Sequence, residues 1–189
     1  RFRSAQHLTE GPCIITVSSA ALSNTDMGLN PNTTYWYRIF AVNSIGDSSP
    51  SSIEAKATRA NTPGVPQVDG DYADGSGYRL KVTIAENSNP AITQFAIYNT
   101  DASQYFTGAG GLSATAVWKT KTEWDTGTAS YHVLGLSDSN ANQARTYRVT
   151  ARNSILIETS LASSPDGSGT TPPPPPSTVA SSEVSDDLL

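Results

Sequence analysis

A single cysteine, Cys13, in 189 residues cannot close an intramolecular disulfide, which excludes a disulfide-stapled miniature fold. No apolar run approaches the roughly 20 residues that cross a bilayer, so a membrane-embedded chain is excluded as well. Charge is scarce, 15% of residues against about 25% in an ordinary globular protein. What charge there is leans acidic: 12 Lys and Arg face 17 Asp and Glu, a net −5. A nucleic-acid partner is therefore not expected, because binding one requires a basic surface that releases phosphate counterions. Catalytic signatures are missing too. His7 and His132 fall in no metal-ligand spacing, and the chain has no Gly-x-Ser-x-Gly elbow, phosphate-binding loop or Cys-His pair. We read it as no enzyme.

What the chain does contain is an alternating repeat. Tyr37-Arg38-Ile39-Phe40-Ala41-Val42-Asn43-Ser44-Ile45 returns 110 residues later as Tyr147-Arg148-Val149-Thr150-Ala151-Arg152-Asn153-Ser154-Ile155. Tyr37, Ile39 and Ala41 share one face of an extended strand, as do Tyr147, Val149 and Ala151. Leu29-Asn30-Pro31-Asn32-Thr33-Thr34-Tyr35 stands before the first copy, and Gly46-Asp47-Ser48-Ser49-Pro50-Ser51-Ser52 follows it. The stretch from Leu29 to Ser52 resembles the end of a fibronectin type III domain. That resemblance implies an all-β immunoglobulin-like sandwich and makes Tyr35 a tyrosine corner, its hydroxyl bonded back to nearby main chain. The second copy diverges, with a longer loop from Leu136 to Tyr147 and Arg145 in the place of Tyr35.

Further strands are expected at Cys13–Val17, Arg79–Ile84, Phe95–Tyr98, Ala114–Trp124 and Ser130–Leu136, each bounded by turn residues. Helical periodicity is lacking. Pro63 and Pro66 mark a stiff joint. The expected organisation is the latter part of one sandwich over 1–61, a linker over 62–66, a second sandwich over 67–165 and a flexible Gly/Pro-rich tail over 166–189. By the repeat offset the first sandwich lacks its opening strands. We expect them from upstream residues of a longer polypeptide, the chain opening on Arg1 rather than Met, or from another subunit.

Three groups of residues are candidate sites. Trp36, Arg38 and Phe40 lie on the outward side of the first repeat strand, where a solvated strand would carry Thr, Lys or Ser. Those residue types mark the energetic centres of protein interfaces, so this is the candidate partner surface; a covering loop of the same chain is the alternative. Trp118 and Trp124 share one face of an alternating run. Exposed, they would stack on sugar rings; turned inward, they would fill the core, and the core is expected for at least one. Asp69, Asp71 and Asp74 sit in a glycine-containing stretch read as a loop. Their spacing fits a solvated turn better than a calcium site, which wants a ring of hard oxygens with a closing bidentate Glu. No cofactor beyond that calcium option is expected.

The resemblance implies a non-catalytic structural or adhesive module, a spacer or interaction unit. The disulfide-free, Ser/Thr/Asn-rich composition points to a bacterial surface or phage virion assembly, in which neighbouring modules or subunits supply the missing strands. The alternative is an accessory module, glycan-binding or spacing, of a secreted carbohydrate-active enzyme. Either reading places the protein outside the cell, on its surface or in a virion.

Overall fold

Strands form where the sequence alternates; the computed structural model describes residues 2–6, 13–17, 23–73, 77–126, 130–135, 138–153, 155 and 166–174. The first sheet holds β1 (Phe2–Gln6), β2 (Cys13–Val17), β3 (Thr34–Ala41) and β4 (Glu54–Ala57) in the order β2-β1-β3-β4. Every pairing in it is antiparallel.

The second part is built from two sheets. One is three-stranded, β11-β6-β5, from β5 (Gln67–Ala73), β6 (Gly77–Thr83) and β11 (Tyr131–Gly135). The other runs β13-β12-β7-β8-β9, from β7 (Gln94–Asn99), β8 (Gln104–Phe106), β9 (Leu112–Ser113), β12 (Ala144–Arg152) and β13 (Gly167–Thr170). A short β10 (Lys119–Thr120) also pairs with β7. Alternation decides the layers. Leu80 and Val82 of β6 face Tyr147, Val149 and Ala151 of β12, and all five are fully buried in one core with Phe95, Ile97, Phe106 and Trp124. The two layers are a sandwich, and the protein is all-β. Among the described residues, no helix is long and apolar enough to cross a membrane.

Three expectations need correction. Trp118–Trp124 is not one strand: after β10 the chain turns into a single helical turn, α1 (Lys121–Trp124). Thr120 and Glu123 form a reciprocal capping box, each side chain taking the other's backbone N–H, and this fixes the turn. Asp69–Ala73 is not a loop, since β5 runs through Asp69 and Asp71 to Ala73, paired residue by residue with β6; the rest of the expected loop lies outside the described residues. The flexible tail does not begin at 166 either. Gly167–Thr170 is the last strand of the sandwich, in register with Ala144–Tyr147.

Glycine explains that last strand. A Cβ on Gly167 would lie 2.0 Å from the Pro66 carbonyl oxygen, and one on Gly169 would lie 2.5 Å from that of Val68. Gly70 on β5 meets Thr170 in the same way. Side-chain-free positions thus let β13 and β5, the margins of opposite sheets, touch main chain to main chain. Composition alone makes such a segment look like a linker. Beyond it, Thr171 is held by Asn140 and Gln143: its hydroxyl donates to Asn140 O at 2.6 Å, and its N–H donates to Gln143 O at 3.0 Å.

Candidate interaction surface

The repeat strands β3 and β12 have equivalent sequences and opposite environments. On β12, Tyr147, Val149 and Ala151 are buried under β6 and β11. On β3, the matching Ile39 is 53% exposed and Ala41 is exposed. None of the described residues of β3 is buried. The side expected to face a core is therefore the open one. Trp36, Arg38 and Phe40, expected as the open partner surface, are half-buried instead, with the Arg38 guanidinium 5.2 Å from the Phe40 ring centre.

The lower part of the open face is occupied by the segment leading into β3. Asn30 N–H donates to the Tyr35 hydroxyl at 2.9 Å, the back-bond expected of a tyrosine corner. Tyr37 donates to Asp26 Oδ2 at 3.0 Å; partial burial and that carboxylate push its hydroxyl pKa up to about 12. In the second repeat Tyr147 does the same job differently. Its hydroxyl is hydrogen-bonded to Nδ1 of His132 on β11. Burial, with the nearby Arg145 charge, lowers the His132 pKa to about 4, and burial raises that of Tyr147. Arg145 makes no corner: it donates to the adjacent Ala144 O.

The flank of β3 is closed by two serines. Ser51 gives its N–H to Ile39 O and takes the Ile39 N–H on its Oγ, both at 2.9 Å. Ser48 treats Ala41 alike, at 2.8 and 2.9 Å. Asn43 Oδ1 then accepts from the N–H groups of Ile45 and Gly46 and ends the strand.

Between this sheet and the sandwich lies a junction of amides that the repeat pattern does not announce. Asn32, at φ 45°, donates to Thr93 Oγ1 at 2.8 Å. Asn153, the repeat partner of the exposed Asn43, is buried and donates to Thr58 O at 2.9 Å. Asn61 and Asn89 pair reciprocally: Asn61 N–H to Asn89 Oδ1 at 2.7 Å, and Asn89 Nδ2 to Asn61 O at 2.9 Å. Asn87 Nδ2 reaches Thr62 O at 2.7 Å. Each bond contributes on the order of 1 kcal/mol. Together they tie Asn32 and residues 58–62 to the loop after β6 and to the end of β12.

The remaining sequence candidates are dispersed. Trp124 is fully buried, with its Nε1 donating to Phe95 O at 2.9 Å and its ring stacked on Phe106, so it offers no sugar platform. Trp118 is half-buried and its ring is covered by the Arg152 guanidinium at 4.6 Å. Asp71 is paired to Arg79 at 2.6 Å, Asp69 accepts from Gln67 at 3.0 Å, and Asp74 lies outside the described residues, as does His7. Among the described residues no three His, Cys, Asp or Glu side chains gather as a metal site.

No family model and no curated protein matches the chain. Among solved structures it is similar to the crystal structure of chicken CNTN1 FN1–FN3 domains, at 18% identity and a TM-score of 0.35. That alignment covers 90% of this chain and 55% of the other, so the chain spans about half the length of that structure. The strand order of the chain's own sheets, β11-β6-β5 packed on β13-β12-β7-β8, and the Tyr35 back-bond make the fold fibronectin type III-like.

Proposed function

We propose that the chain is a non-catalytic spacer and interaction module of a larger assembly. It holds a half-covered sheet in fixed orientation to a complete sandwich. The observation that carries this reading is the reciprocal amide junction: Asn61 and Asn89 lock each other, with Asn32 and Asn153 on either side. A freely jointed tether has no use for buried Asn32 and Asn153 aimed at main chain and hydroxyl. The open Ile39–Ala41 face is the surface such a module would present to neighbouring modules or subunits. A bacterial-surface or virion setting agrees with the composition. The accessory glycan-binding alternative draws no support from the buried Trp124 or the covered Trp118.

Spin labels at Ser52 and Ala102, with Cys13 replaced by Ser, test the spacer. Pulsed dipolar spectroscopy should return one narrow distance distribution, and Asn89→Ala should broaden it. A broad distribution in the otherwise unaltered chain refutes a fixed orientation.

A further inference from the structure

The second repeat shows what layer closes a sheet of this sequence, and it has three strands: β11, β6 and β5. Each has a definable place over the first sheet. The β11 place lies over the repeat tyrosine, where His132 meets Tyr147. Over the first sheet that place is already taken, because Asp26 meets Tyr37 and Asn30 meets Tyr35.

The β5 place is barred. β5 lies so close to β13 that a Cβ on Gly167 or Gly169 would clash with the facing main chain. In register, Gly167 pairs with Tyr147 and Gly169 with Arg145. Glu54 pairs with Tyr37 and Lys56 with Tyr35, so Glu54 and Lys56 hold the two glycine positions in the first sheet. Their Cβ atoms would fall where a β5-like main chain has to run, at about 2.0 and 2.5 Å from its carbonyl oxygens by the second repeat's geometry. Both residues are charged and exposed, so a strand pressed on them would also have to desolvate them.

Among the described residues, none takes the remaining place, that of β6. Its Leu80 and Val82 are fully buried in the core they share with Tyr147, Val149 and Ala151, whose matches on β3 are Tyr37, Ile39 and the exposed Ala41. We propose that the first sheet is completed by a single extended strand, aliphatic at alternate positions, lying over Ile39 and Ala41 with no second strand on its β4 side. This rests on the reading of the chain as a module that joins others. The strand is continuous with β1. Phe2 pairs with Ala41 as Phe95 pairs with Ala151, which makes β1 the counterpart of β7, and β6 is the strand that leads into β7.

The test grafts the chain's own strands onto itself. A copy of residues 77–94, which carries β6, is fused directly ahead of Phe2; a longer fusion carries residues 67–94 and so adds β5. Hydrogen exchange at Ile39–Ala41 is the readout, with exchange at Val149 in the same sample as the check that the second sandwich is intact. The short fusion should slow exchange at Ile39–Ala41 by about tenfold or more. The longer fusion should slow it no further, except in the Glu54→Gly/Lys56→Gly protein, where it should. A longer fusion that outperforms the short one in the unsubstituted protein overturns the single-strand inference and leaves the module reading standing. Unchanged exchange with both fusions overturns the strand inference as well and leaves the module reading, which rests on the amide junction, standing. Equal slowing by the free 77–94 peptide at matched concentration overturns continuity with β1.

Discussion

Replacing His132 with Gln should flatten the acid limb of the stability curve of the second sandwich. His132 is 4% exposed, packs its ring 5.6 Å from Phe106, and is bonded to the buried Tyr147 hydroxyl. Burial and the Arg145 charge lower its pKa from 6.5 to about 4. The folded protein therefore keeps the imidazole neutral through a range in which the unfolded chain protonates it. As pH falls below about 6.5 the unfolded state binds a proton that the folded state refuses, and stability declines until the folded pKa near 4 is reached. A gap of this size, at 1.36 kcal/mol per pKa unit, amounts to about 3 kcal/mol. Urea unfolding at pH 7, 6, 5 and 4, followed by tryptophan fluorescence, measures it. Gln does not titrate and can accept from Tyr147, so the difference between the two proteins isolates His132 from carboxylates such as Asp166, whose pKa is lowered by its Arg148 partner. Wild type should lose about 3 kcal/mol relative to His132→Gln between pH 7 and 4. Parallel curves would show that the folded imidazole takes up protons freely, and the reasoning from burial would fail.

Other perturbations test other parts. Gly167→Ala drives a methyl toward the Pro66 carbonyl and should cost about 1–3 kcal/mol in chemical denaturation; an unchanged midpoint would mean that β5 and β13 part without penalty. Tyr35→Phe deletes the acceptor of the Asn30 N–H and should cost about 1 kcal/mol, read as faster hydrogen exchange at Asn30, whereas Tyr147→Phe should instead shift the His132 titration seen by NMR. Thr120→Ala removes half of the capping box and should destabilise by about 1 kcal/mol; no change in thermal midpoint would count against the helical turn at Lys121–Trp124.

Much of the fold was legible because alternation is a local signal. Tyr37 through Ala41 and Tyr147 through Ala151 announce two strands of one kind, and the resemblance carried by Leu29 to Ser52 implies Tyr35 as the corner. What escaped depends on contacts between distant residues. Gly167-Ser168-Gly169 reads as linker because glycine is read for its freedom, and only the approach of Pro66 and Val68 gives it a structural role. Trp118 to Trp124 alternates well enough for a strand, yet the Thr120–Glu123 capping box at its centre is a helix-start signal that outweighs period two over so short a run. The amide junction joins Asn61 to Asn89 and Asn153 to Thr58, pairs separated by 28 and 95 residues, which no local pattern reports. On β3 residue type says which face is apolar, while exposure depends on whether a second layer is there to cover it, so the exposure of Ile39 and Ala41 is not read from the strand alone.

The serine pairs on β3 bear on how the molecule behaves in company. Unsatisfied main-chain amides at the rim of a sheet template further strands, the usual route to fibrils. Ser48 and Ser51 saturate Ala41 and Ile39 there, occupying donor and acceptor alike. A partner recruited at this end would therefore have to come through hydrophobic contact from above and not by lateral zippering, so such a half-dressed layer would not seed runaway polymerisation along that rim even at high local concentration.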